Sequence, residues 1–416
     1  MSESIKFALK TLIWKWLQFC AALRRRTGWA ATCKEPSLAL VPCEPGLVIG
    51  SRGDEAMVYA ILSDYRRRHA NGRITIIVSN AAFGASQDGR RLKCDFPGIE
   101  FVAAWLGHAH LSRIYKTLVK CRATEAYVIG ADCMDGYYGS TISFTLLFCA
   151  DVAMRLGVQT RLTGFSFNDH PTTAAVEMFR HVTPDLICNV RDPVSLRRVK
   201  ELGHKNLTTR LVADVAFMLE PRETENVAAI ARWVNQERVR GQVCLAFNLH
   251  GMLVGKSSYD ELVKRATEGL QVFVETNPKV SVVLVPHDYR PQGDIDALTK
   301  IAKSISSPRV RLVSEVLSAA ELKALMGYVD CLFTSRMHLG IAALGMGKPV
   351  GAFAYQGKFA GLFEHFGLPQ SMILSPEELS RLPSVLDAFV GAVEELSDKV
   401  EQHLDAIRQA SKMNLI

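Results

Sequence analysis

An arginine and a histidine two positions apart, Arg336 and His338, lie in the run Thr334-Ser335-Arg336-Met337-His338-Leu339-Gly340. An apolar strand-like stretch precedes the pair and a small-residue helical pattern follows it. Arginine offers a planar fork of donors that fits a carboxylate or a phosphate. Histidine is the side chain best suited to hand over a proton near neutral pH. The amino end of a helix adds its own attraction for an anion. Binding and protonating an acidic substrate is the chemistry this spacing suggests, although a lone histidine is more often an ordinary core residue.

Three other loops share that placement at a strand exit. Gly50-Ser51-Arg52-Gly53-Asp54-Glu55-Ala56 reads as a turn into a helix, with Asp54 suited to the N-cap and Ser51 and Glu55 as further polar candidates. It is not a G-x-G-x-x-G dinucleotide fingerprint. Gly130-Ala131-Asp132-Cys133-Met134-Asp135-Gly136 places Asp132 where ligands bind in open α/β sheets, able to hold a sugar hydroxyl or act as a base. Arg191-Asp192-Pro193-Val194-Ser195 gives a good cap and first helical position, and leaves Arg191 facing a cleft or solvent. Each loop can equally be a structural turn. His287 and Lys358 are weaker candidates, readable as structural or rim residues. No His, Cys, Asp or Glu cluster has metal-ligand spacing, so neither a metal nor another cofactor is expected.

The elements that must carry these loops alternate. In the first half, strand-like runs at 47–50, 74–78, 126–129, 160–164, 186–190 and 211–213 are interleaved with helical patterns such as 54–68, 143–156 and 193–202. In the second half, runs at 243–248, 280–285, 310–313, 331–334 and 349–354 are separated by helical patterns at 259–277, 295–304, 319–327 and 338–346. Apolar strands alternating with helices argue for parallel sheets covered on both faces. Two such series predict an α/β protein of two Rossmann-like domains, 46–222 and 223–375, with a hinge near 220–226. A helix and linker at 1–45 and a helical tail at 376–416 complete the chain.

Composition agrees. The 416 residues suit two domains, and 48% hydrophobic against 22% charged residues excludes disordered and collagen-like classes. No apolar run reaches the ~18–20 residues of a spanning helix. Of the net charge of +7, residues 1–26 supply five, from six cations and Glu3. The remainder is nearly neutral, without a nucleic-acid footprint. Ten cysteines without C-x-x-C suit free thiols in a reducing cytoplasm. On a helix over 4–26, Lys6, Lys10, Thr11, Lys15 and Gln18 share one face. Ile5, Leu9, Leu12, Ile13, Trp16, Leu17 and Phe19 crowd the other, ahead of Arg24, Arg25 and Arg26. That pattern suits either a membrane-surface helix or one docked on its own domain.

The ordered set of motifs resembles the polysaccharide pyruvyl transferase family, nearest in layout to colanic-acid-biosynthesis members. The matching pieces are Gly50–Ala56, Val128–Asp135, Arg191–Ser195 through Leu202-Gly203, Ala213–Phe217, Pro286-His287-Asp288, Ser335–His338 and Tyr355–Leu368, over roughly residues 46–370. Two positions depart from the family pattern. Ser51 stands where Asn is common, and Gly130-Ala131-Asp132 where a glycine triplet is common. The resemblance implies a GT-B-like arrangement of two Rossmann-like lobes with the active site between them. It also implies transfer of pyruvate from phosphoenolpyruvate to a sugar as a ketal. By motif, Arg336 and His338 match the family's Arg-x-His donor site, and Arg191 is a candidate second clamp.

These implications lead to a scheme in which Arg336 and Arg191 hold the two anionic groups, His338 is the acid, and Asp54 or Asp132 is the base. The acceptor is then a sugar of a lipid-linked precursor, placing the protein at the inner face of the cytoplasmic membrane. The alternatives are a nucleotide-sugar glycosyltransferase on the same fold, with Glu364 as a ribose ligand, or a non-catalytic membrane-associated part of polysaccharide assembly.

Overall fold

The computed structural model describes residues 3–29, 35–250, 259–290, 293–353 and 357–416. Residues 354–356, which end the expected 349–354 strand and begin the 355–368 motif, lie outside them. The chain divides into two compact units. The first holds residues 1–50, 57–215 and 410–416, and the second 51–56 and 216–409. This partition differs from the expected domain limits: it falls at 215/216 rather than near 220–226. The first turn of one helix, 51–56, groups with the second unit, and the last seven residues group with the first.

The first unit contains α1 (Glu3–Arg26), β1 (Ser37–Val41), most of α2 (Arg52–Arg68), β2 (Arg73–Val78), α3 (Gln87–Asp95), β3 (Ile99–Ala103), α4 (His110–Lys120) and β4 (Glu125–Val128). It continues with α5 (Ser140–Arg155), β5 (Gln159–Phe165), α6 (Thr173–Met178), β6 (Ile187–Val190), α7 (Pro193–Glu201) and β7 (Thr208–Leu211). Its seven strands are parallel, in the order β3-β2-β1-β4-β5-β6-β7. The sequence reverses direction between β1 and β4, the switch point of a doubly wound sheet.

The second unit runs through α8 (Glu225–Val239), β8 (Val243–Asn248), α9 (Tyr259–Thr276), β9 (Val280–Leu284), α10 (Asp294–Ile305), β10 (Val310–Leu312), α11 (Ala319–Tyr328) and β11 (Cys331–Thr334). It ends with α12 (Met337–Gly345), β12 (Val350–Phe353), α13 (Lys358–Phe366), β13 (Ile373–Leu374), α14 (Leu382–Gly391) and α15 (Val393–Lys412) up to residue 409. Its six parallel strands are ordered β10-β9-β8-β11-β12-β13, with the switch between β8 and β11. The chain is thus an α/β protein of two Rossmann-like units with a helical tail, the fold class of GT-B proteins.

Strands β3 and β13 fall in no expected run, β7 ends at Leu211 where the 211–213 run begins, and the expected first strand is displaced altogether. Residues 47–50 form a turn, with Val48 left-handed at φ 56°. The first strand is β1, inside the stretch read as linker. Pro36 and Pro42 bracket a five-residue run, Ser-Leu-Ala-Leu-Val, that is buried throughout between β2 and β4. A central strand shows no polar alternation, and its flanking prolines mimic a linker.

The helix α1 also differs from its wheel. Trp14, Leu17 and Ala21 are buried, and Trp14 meets the rings of Phe144 and Phe148 on α5 edge-on at 5.0 and 6.1 Å. The buried Asp151 carboxylate accepts from Trp14 Nε1 and Gln18 Nε2, both at 2.8 Å, from Thr183 N at 2.7 Å and from Arg155 Nε at 3.0 Å. Lys10 Nζ donates to Thr141 Oγ1. The face carrying Lys10 and Gln18 is therefore turned toward the protein, while Leu9, Leu12, Trp16, Phe19 and Leu23 stay exposed.

Replacing the fully buried Asp151 by alanine strips Trp14, Gln18, Thr183 and Arg155 of their shared acceptor. The expected loss is about 3 kcal/mol, read by urea melts. Leu12→Ser, on the exposed face, is expected to change stability by no more than about 0.5 kcal/mol.

Candidate functional site

In the second unit three neighbouring strands end at one edge of the sheet. Asn248 closes β8, Pro286-His287-Asp288 follows β9, and Ser335-Arg336 follows β11. Those ends surround the switch between β8 and β11, where parallel sheets place ligand sites. The node is Asp294, fully buried in the first turn of α10. It accepts from Arg336 Nε at 3.1 Å and Nη2 at 2.6 Å, from Asn248 Nδ2 at 2.9 Å and from His287 N at 3.1 Å. Asp288 Oδ2 takes a further bond from Arg336 Nη2 at 3.1 Å and is itself gripped by Arg290.

These bonds set the charges. Burial alone would raise the Asp294 carboxyl. The Arg336 guanidinium, with hydrogen bonds from His250, Arg336 and Asn248, outweighs it and holds the group well below the usual carboxylate range. Asp288 is likewise held low, its burial outweighed by the bonds from Arg290 and the charge of Arg336. Burial, and then the Arg336 charge, push His287 down to about 3, so its imidazole is neutral. Arg336 Nη1 makes no hydrogen bond among the described residues.

The turn at 51–56 lies in the same unit. Ser51 Oγ accepts from Asp54 N at 3.1 Å and Ser51 O from Glu55 N at 3.0 Å, so Ser51 is the cap of α2. Asp54, expected to be the cap, stands three residues inside the helix and takes the Ser51 hydroxyl at 2.7 Å. Glu55 is buried, accepting from Arg52 Nη1 at 2.8 Å and from Ala319 N at 3.2 Å. Arg52 lies over the Tyr289 ring, 5.3 Å from its centroid, and its buried Nε has no hydrogen-bond partner among the described residues.

His338, in the first turn of α12, packs its ring on Gly53. A Cβ at position 53 would overlap the imidazole at Nδ1. Arg52, His287, Lys323 and His338 supply the polar lining of one recess, and Leu219, Leu322, Leu339 and Ile341 much of its apolar wall. Lys323 is buried, donates to Phe217 O and Leu219 O, and is pushed down to about 8 by burial. The arrangement combines the amino ends of α2 and α12, a guanidinium and two imidazoles, suited to holding an anion and passing a proton.

Of the expected site residues, His287 and His338 line the recess, while Ser51, Asp54, Glu55 and Arg336 belong to the same unit without being among the lining residues. Lys358 belongs to it as well, opening α13 after the left-handed Gly357, but it is not among the recess residues. Asp132 and Arg191 lie together in the first unit. Arg191 is buried, with Nη1 on Asp214 at 2.8 Å and Nε on Ser166 at 2.6 Å, and Asp132 accepts from Tyr138. Ala131 holds φ 48°, a left-handed conformation that glycine adopts more readily than alanine. Arg52, Asp288, Asp294, Asn248 and Lys323 were not among the residues singled out from sequence. Only the Pro-His-Asp run and the Gly50–Ala56 loop carried a signal for any of them. Among the described residues no cluster of His, Cys, Asp or Glu could hold a metal ion.

Comparison with known proteins gives a family and a fold. The family described as Polysaccharide pyruvyl transferase matches residues 52–357. Staphylococcus aureus MnaA, solved with UDP, superimposes with a TM-score of 0.57 at 10% identity, over 92% of this chain and 98% of that one. UDP-GlcNAc 2-epimerase of Neisseria meningitidis, bound to UDP-GlcNAc, gives 0.55 at 11%, over 91% and 98%. Anabaena HepE, in complex with UDP-glucose, gives 0.53 at 12%, over 91% and 97%. At such identities these structures share the fold alone. No curated relative matches the sequence.

Two outcomes test this geometry. Gly53→Ala is expected to displace the His338 ring, read as a change in its imidazole NMR shifts, while the protein stays folded. The second concerns pH. The native state keeps His287 neutral down to about pH 3, whereas the unfolded chain takes up that proton near its ordinary 6.5. Stability from this group is therefore complete above pH 6.5 and falls as pH drops toward 3, with a slope of up to one proton, about 1.4 kcal/mol per pH unit. Asp294, with its folded value depressed, adds a further loss only below about pH 4. Urea melts from pH 7 to 4.5 are expected to show a shallower slope for His287→Gln than for the wild type.

Proposed function

Since the chain belongs to the polysaccharide pyruvyl transferase family, we propose that it moves the pyruvyl group of phosphoenolpyruvate onto a sugar of a lipid-linked polysaccharide precursor. The product is a cyclic ketal, made at the inner face of the cytoplasmic membrane. The observation that carries the reading is the recess of the second unit, where His338 rests on the amino end of α2 beside Arg52 and the neutral His287.

Phosphoenolpyruvate carries a carboxylate and a phosphate, and each needs donors. Arg52, with the amino end of α2, takes one, and Arg336, through the Nη1 that Asp294 and Asp288 leave open, takes the other. Arg52 fills the place expected for Arg191, whose donors go to Asp214 and Ser166. His338 delivers a proton to the methylene carbon, turning it into a methyl group and leaving an oxocarbenium-like centre at C2. One sugar hydroxyl adds to that carbon and gives its proton to a carboxylate. Of the two expected bases, we take Asp54, which shares a unit with His338. Phosphate then leaves with its bonding pair, the second hydroxyl bonds to C2, and its proton departs with the phosphate. The products are a ketal and inorganic phosphate. In this scheme Ser51 holds Asp54 and caps α2, and Glu55 holds Arg52. Lys358 serves at the rim. The scheme uses no metal.

The test is ligand-induced thermal stabilisation with phosphoenolpyruvate against UDP- and GDP-sugars. At a ligand concentration 100-fold above Kd, linkage gives about 2.7 kcal/mol. Phosphoenolpyruvate is expected to stabilise the wild type and not Arg52→Gln. His338→Gln is expected to keep the shift but lose roughly 10²–10⁴-fold in turnover. A shift with a nucleotide sugar alone would instead mark a glycosyltransferase, and silence from every ligand a non-catalytic component.

A further inference from the structure

We propose that the outer face of α1 seats the protein on an anionic lipid surface, with Leu9, Leu12, Trp16, Phe19 and Leu23 entering the interface. This extends the reading that the protein works at a membrane, yet it is carried by residues of the first unit that play no part in donor binding.

The inner face of α1 is satisfied by its own domain through Trp14, Leu17, Ala21 and the Asp151 bonds. What remains outside is apolar. The five outer side chains are 49–65% exposed, although a helix docked only for stability would place such groups inward. At 100° per residue they fall within roughly an 80° arc, and 14 steps of 1.5 Å make a stripe about 21 Å long. A stripe carrying tryptophan and phenylalanine is the composition that settles at a headgroup boundary. Spanning is not at issue, since among the described residues no helix is long and apolar enough to cross a membrane.

The charges around it favour one occupant. From Phe7 to the end of α1 there are five cations, Lys10, Lys15, Arg24, Arg25 and Arg26, and no carboxylate. Lys15 and Arg26 are exposed on the flank nearest the stripe. The neighbouring α4, tied to α1 by Arg24 Nε on Tyr115 OH at 3.1 Å, exposes Arg113, Lys116 and Lys120 and also lacks a carboxylate. A second copy of this chain would set these cations against one another. Anionic headgroups complement them and accept the apolar stripe beneath.

The experiment is sedimentation of the full-length protein with vesicles of phosphatidylcholine, alone or with phosphatidylglycerol at roughly a third of the lipid. The wild type is expected to bind the anionic vesicles, more weakly at high salt, and to bind the neutral ones at least tenfold less. Leu12→Ser/Trp16→Ser and Lys15→Gln/Arg26→Gln are each expected to lose at least tenfold in affinity with unchanged thermal midpoints. Quenching of wild-type tryptophan by brominated lipid, lost in Trp16→Phe, gives a second readout that does not depend on the polar variants folding. Failure of the wild type to bind anionic vesicles would overturn the proposal. So would undiminished binding by Leu12→Ser/Trp16→Ser, or a dimer in solution that this variant abolishes. Phosphoenolpyruvate stabilisation of the same samples reports donor binding separately, so either idea can fail alone.

Discussion

The buried pair of Asp294 and Arg336 is the constraint on which the second unit's chemistry rests. Asp294 sits fully inside the protein, and an uncompensated carboxylate there would be costly. It is kept ionised by a bidentate guanidinium and by donors from the ends of β8 and β9. One carboxylate therefore ties three strand ends and the start of α10 to a single arginine. That arginine is the residue from which α12 begins, and His338 follows two positions later. The same guanidinium helps keep His287 neutral, so the recess holds one group that cannot become a competing cation at physiological pH.

Much of the architecture was legible because its signals are local. Strands such as β8, β9 and β11 are short apolar runs between helical patterns, and α11 opens with a Ser318–Glu321 capping box. What was not legible depends on neighbours distant in sequence. β1 is buried on both faces and bracketed by prolines, so neither alternation nor composition betrays it. The wheel of α1 ranks its faces by polarity. The domain selects instead the face on which Trp14 and Gln18 can both reach Asp151, 137 and 133 positions away.

The site divides in the same way. His338 and Arg336 stand out because two chemically potent residues fall in one short motif. Asp294 and Asn248 do not, since each is an isolated polar residue at an element end, and only the folded sheet reveals that Asn248 donates to the same carboxylate that grips Arg336. Arg52 sat in a loop chosen for its glycines and acids. Its role emerges only from Glu55, Tyr289 and the recess around it. The contact of His338 with Gly53 joins positions 285 residues apart and gives the glycine at 53 a purpose that turn geometry alone does not supply.

The central claim is that His338 protonates a phosphoenolpyruvate held in this recess. The most direct measurement is transfer run in D₂O with an extract of lipid-linked oligosaccharide acceptors, followed by mass spectrometry of the sugar product. The account predicts a pyruvate ketal whose methyl group carries one solvent deuterium, formed together with inorganic phosphate and lost in His338→Gln. A ketal methyl without deuterium, undiminished product from His338→Gln, or transfer supported by a nucleotide sugar and not by phosphoenolpyruvate would contradict it.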